Sequence, residues 1–159
     1  SIMELPLLKK VILIGPDEEA FSRVEPEFKE KVEFLSRERL LEMEETEVSA
    51  FVKNQVGEYP LYISIDKDVL CETDADTNWS QGDMRLSTML ECLGAVKEKC
   101  AERISRILGV DICGECDVTE PGNSALNDMA NAALLEFFTS TDVGEDIEEN
   151  KNGTTGGNG

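Results

Sequence analysis

Two aspartates one residue apart, Asp66 and Asp68, follow the apolar run Leu61-Tyr-Ile-Ser-Ile65, and Glu72, Asp74 and Asp76 come close behind. Carboxylates crowded on one loop repel one another, so a cation or a positive partner must neutralise them. Side chains alternate along a strand, so residues two apart point the same way and Asp66 and Asp68 can converge on one ion. Oxygen ligands at that spacing suit a hard cation such as magnesium or manganese. The same pair reads equally well as solvated strand-end residues screened by Lys67, and spacing alone does not choose.

Two other patterns carry less. Asp74, Asp76 and Asn78 have the one-three-five spacing of a calcium loop, but the sixth position is Trp79 instead of glycine and the twelfth is Arg85 instead of glutamate, which rules that loop out. Cys113-Gly-Glu-Cys116 has the spacing of a redox pair or half a zinc site, yet no second Cys or His pair exists to complete a zinc centre. Pro121 and Gly122 put a loop where a thioredoxin-like pair needs a helix. Inert thiols are the favoured reading there, with thiol chemistry a lesser alternative.

The elements that must position these residues alternate. Lys9 and Lys10 precede the apolar run Val11-Ile-Leu-Ile14, stopped by Gly15-Pro16, which predicts a strand buried on both faces. A second short strand is expected over residues 32–36, with Ser36 capping a helix, and an acidic helix over 46–55 ended by Gly57. Leu61–Asp66 is the central strand, residues 85–103 the best helix and 107–112 another buried strand. In the long helix Leu86, Met89, Leu90, Leu93, Val96, Cys100 and Ile104 recur at three- and four-residue intervals. A last helix starts at Asn123 or Ser124 and runs through Leu126, Met129, Ala133, Leu134 and Phe137.

Strands alternating with helices predict an α/β fold whose mostly parallel sheet is covered on both faces. Ligands bind such sheets at the carboxyl ends of the strands, where Asp66 and Asp111 fall. One domain spans residues 1–143, and the Gly-, Asn- and acid-rich stretch 144–159 is expected to be a disordered tail. The start at Ser1, without an initiator methionine, suggests a piece of a longer chain.

Composition narrows the partners. With 34 acids, 15 bases, no histidine and a net charge of -19, the chain is a poor match for nucleic acid or anionic membranes and favours a cationic or neutral ligand. No apolar run approaches the length of a membrane span, and no signal segment opens the chain, so a soluble cytoplasmic location is expected. Five cysteines in no regular framework suit a reducing compartment, with Cys92 and Cys100 as small apolar side chains. Without histidine, any metal site must be carboxylate-rich or must borrow imidazoles from elsewhere.

Taken in order, Ile63-Ser-Ile-Asp-Lys-Asp-Val-Leu70, a polar loop, Gly82-Asp-Met-Arg-Leu-Ser-Thr-Met-Leu90 and Ile107-Leu-Gly-Val-Asp-Ile112 resemble the carboxyl-terminal half of the ureohydrolases, the arginases and agmatinases. The resemblance implies a three-layer α/β/α arginase-like fold, present here as a partial domain. It implies a metal-binding hydrolase with two manganese ions bridged by a hydroxide that attacks a guanidinium carbon, Asp66 and Asp68 being metal ligands. Glu115 is the nearest match to the glutamate that recognises the substrate guanidinium.

The chain departs from the family at several points. The recognition glutamate usually stands where this chain has Gly114, and Cys71 and Glu72 replace the usual Asp-Pro. The histidine-containing segments that supply the other metal ligands are absent. A chain with only two of the carboxylates should bind manganese weakly and be inactive alone, its intact parent being the hydrolase of a cationic guanidino or amidino small molecule. Homo-oligomers are also expected, because a sheet that has lost strands exposes an edge and an apolar face. The competing expectation is a non-catalytic scaffold on the same fold whose acidic loop binds a basic partner.

Overall fold

The computed structural model describes residues 2–103, 106–115 and 124–140, which leaves Cys116, Ile104 and the 144–159 tail outside the described residues. Among the described residues four strands form two parallel ladders. β1 (Val11–Ile14) pairs in register with β2 (Val32–Leu35), and β3 (Leu61–Asp66) pairs with β4 (Ile107–Cys113). Parallel neighbours need a crossover between them. Here α1 (Glu18–Ser22) and α2 (Pro26–Lys29) lie between the first two strands, and α5 (Leu86–Arg103) between the last two. After β2 come α3 (Arg37–Glu42) and α4 (Glu45–Gln55), and α6 (Ser124–Thr139) ends the described chain. This is the expected α/β fold of parallel strands and helices. Ser36 caps α3 as expected, its side chain accepting from the Arg39 amide.

Helix α5 joins two apolar cores because its stripe is wider than a single seam. Met89 and Leu93 pack with Ile65, Leu70, Ala130 and Leu134. Cys92 and Ala95, on its flank, pack with Leu35, Val48, Val52 and Val56. Cys92 and Cys100 are buried as expected, and burial pushes the Cys92 thiol up to about 11.

Several expectations are corrected. Strand β4, expected to be buried, exposes Leu108, Asp111 and Ile112. Met129 is 69% exposed, and α6 instead buries Asn127, Ala130 and Leu134. The buried face of this helix thus carries a polar residue, which apolar periodicity cannot find. Strand β3 is covered on one face only: Ile63 and Ile65 meet α5 and α6, while Tyr62, Ser64 and Asp66 are exposed. No helix among the described residues is long and apolar enough to cross a membrane.

Asn127 earns its burial by gripping the acidic loop. Its Oδ1 accepts from the Asp76 amide at 2.9 Å and its Nδ2 donates to the Asp76 carbonyl at 2.6 Å. Asn127→Ala strands both backbone groups, so urea unfolding should show a stability loss of about 2–3 kcal/mol with an unchanged denaturant slope.

Candidate metal and cation site

Strand β3 ends where Asp66 caps a single 3-10 turn, Lys67–Val69, its Oδ1 accepting from the Asp68 amide at 3.1 Å. The three residues Asp66, Lys67 and Asp68 then meet different surroundings. Asp66 is exposed, Asp68 is half-buried and Lys67 is 0% exposed.

The Asp68 Oδ1 atom is buried without a hydrogen-bond partner, as is Thr77 Oγ1. Burial raises the Asp68 pKa above the ordinary carboxylate range and the neighbouring Asp66 adds to the rise; the Thr77 hydroxyl is near enough to oppose it, but its geometry makes no hydrogen bond. An unsatisfied carboxylate oxygen beside a second carboxylate suits a cation. A complete site needs more ligands: among the described residues no three Cys, Asp or Glu side chains come together as a metal cluster.

Three glycines press on this turn. A Cβ on Gly15 or Gly82 would collide with Val69. Gly114 has a φ of 82°, and a Cβ there would stand 2.7 Å from both Asp66 Oδ1 and the Lys67 amide nitrogen. A side chain at position 114 would therefore clash with the Asp66 turn and strain the left-handed backbone.

Glu115 does not stand free. The Lys67 ammonium donates to Glu115 Oε1 and, at 2.8 Å, to Asn131 Oδ1. Asn131 Nδ2 donates to the same Glu115 Oε1 at 3.0 Å, closing a triangle between the end of β3, the end of β4 and α6. The Lys67 hydrogen bond holds the Glu115 carboxyl below its ordinary pKa against the opposing effect of burial. Sequence reasoning took Lys67 only as a screen and missed Asn131. Lys67 lies in the 3-10 turn beyond the strand, so strand alternation does not place it and no local pattern marks its burial.

Several other acids are matched locally. Asp111 lies within β4, not at its end, where Ser64 Oγ donates to it at 2.7 Å, and its nearby carboxylate raises the Tyr62 pKa. Asp74 accepts from the Leu86 amide at 2.8 Å, at the start of α5, and pairs with Arg85. Asp83 pairs with Arg37. The Cys113 thiol is pushed up by burial and then by Asp66, Asp111 and Asp68, so it is not an activated nucleophile. A cleft of about 190 Å³ runs beside Gly15, Arg37, Val69 and Asp83 and includes neither Asp66 nor Asp68.

Comparison with known proteins agrees at the level of fold. An arginase from Bacillus caldovelox, in its native structure at pH 5.6, superposes with a TM-score of 0.57 at 18% identity, over 84% of this chain and 44% of the arginase. The fold is therefore arginase-like, in part. An uncharacterized protein of Thermotoga maritima is 35% identical over 85 residues, which cover 52% of this chain and 32% of that protein. The chain thus spans about a third of that relative's length. No family model matches the chain.

Two outcomes follow from this geometry. Gly114→Ala should cost at least about 2 kcal/mol in chemical unfolding, because the left-handed backbone and the contact with the Asp66 turn both oppose a side chain. Since the folded pKa of Glu115 is depressed, its stabilisation is present above the unfolded value of about 4.3 and lost as pH falls through the folded one. Thermal melts of Glu115→Gln should therefore lie a few degrees below wild type at pH 7 and converge with it in strong acid.

Proposed function

We propose that this chain is a segment of a manganese-dependent ureohydrolase-like enzyme, one that hydrolyses a guanidino or amidino C–N bond. The observation that carries this reading is the unpartnered, buried Asp68 Oδ1 beside Asp66 at the carboxyl end of a parallel strand on an arginase-like fold. Asp66 and Asp68 would hold the ion from the β3 side. Bound metal would supply an acidified water and charge stabilisation at the reacting carbon. The residues themselves contribute a carboxylate pair whose turn is fixed by the hydrogen bond from the Asp68 backbone N–H to Asp66 Oδ1 and by the glycine contacts behind it.

Two carboxylates fit one side of such a site and no more, so the isolated chain should bind metal weakly and hydrolyse nothing. The intact protein's ligand is proposed to be a cationic guanidino small molecule, with no nucleic-acid or membrane partner, in keeping with the net charge of -19. A cytoplasmic location and self-association are part of the same proposal. Leu108, 58% exposed, and Ile112, 39% exposed, give β4 an apolar surface for association. The pairing of Glu115 with Lys67 favours a second reading, a non-catalytic binding scaffold on the same fold whose acids engage a basic partner.

Manganese separates the two. Millimolar Mn²⁺ should raise the melting temperature of the wild-type chain by about 2–4 °C and leave Asp66→Asn unchanged, with no urea released from arginine or agmatine by either. Equal shifts in both proteins would remove the enzyme reading, and urea release would refute the inactivity of the isolated chain.

A further inference from the structure

The triangle at the end of β3 bears on which ligands this chain can accept. We infer that Lys67 is the resident cation of Glu115: its ammonium takes the place on that carboxylate which a cationic ligand would need, and so excludes guanidinium from it.

The argument starts from burial. Lys67 is 0% exposed, and a buried ammonium without a counter-charge is costly enough that its anion is not readily given up. Among the described residues the acid paired with it is Glu115. Geometry adds to this. Guanidinium groups grip carboxylates best through both oxygens at once. Glu115 Oε1 already accepts from Lys67 Nζ and from Asn131 Nδ2, which leaves it unable to take part in a two-oxygen contact without breaking the triangle.

Asn131 makes the arrangement self-consistent, because its amide accepts from the lysine and donates to the glutamate with the orientation each requires. The carboxylate side chain is 54% exposed, so access by solvent does not keep a ligand away. Occupancy by Lys67 does. The choice of guanidinium as the excluded ligand rests on the proposed function, whereas the ion pair itself does not.

The test uses metal-free protein, so that its outcome is separable from the manganese experiment. Arginine is titrated calorimetrically into wild type, Lys67→Met, Glu115→Gln and the double variant. Wild type and Glu115→Gln should show the same weak or absent heat, Lys67→Met should bind at least about tenfold more tightly, and the double variant should lose that gain. Arginine binding to wild type that Glu115→Gln abolishes would overturn the inference, as would a Lys67→Met protein that folds but binds no better.

Because Lys67→Met alters a buried position, melting temperatures provide a second measurement from the exposed end of the pair. Glu115→Gln should lower the melting temperature of wild type, and an unchanged value would also overturn the inference. In the Lys67→Met background the same substitution should have little effect, since the partner is already gone.

Discussion

A lysine ammonium withdrawn from water must find its counter-charge inside the protein, and the carboxyl end of β3 is organised around that requirement. Lys67 is fully buried. Its partners come from the end of β4 and from α6, so one charge ties together three elements far apart in the chain. Gly114 permits the approach: with any side chain at that position β4 could not come this close to the Asp66 turn. The placement of Asp66 and Asp68 is thus inseparable from the burial of the lysine between them.

The large surplus of acids says less about a site than its size suggests. Asp74 is used at the start of a helix, Asp83 and Glu115 by cations of the same chain, and Asp111 by the hydroxyl of Ser64. Asp68 differs because one of its oxygens is buried without a partner. Burial and the adjacent Asp66 both oppose its charge. A carboxylate held in that condition is where a cation would gain most, which is a more selective statement than any drawn from net charge. The likeness to arginase, at 18% identity, concerns the fold alone.

The elements themselves were legible in the sequence. The apolar runs ending at Ile14 and Ile65 and the stripe of α5 each follow from local periodicity, and strands alternating with helices carry the parallel α/β architecture with them. Asp66 and Asp68 were also visible, as two acids at a strand end. What periodicity could not reveal was the use made of polar residues inside. Asn127 and Asn131 on α6 do not belong to an apolar stripe, and Met129, which does, lies in solvent. The fate of Glu115 was likewise hidden, because it depends on Lys67 and Asn131, neither of them near it in sequence. Local pattern is set by a few consecutive residues and their period, but the pairing of a buried charge is set by which distant elements meet, and that is decided only when the chain folds.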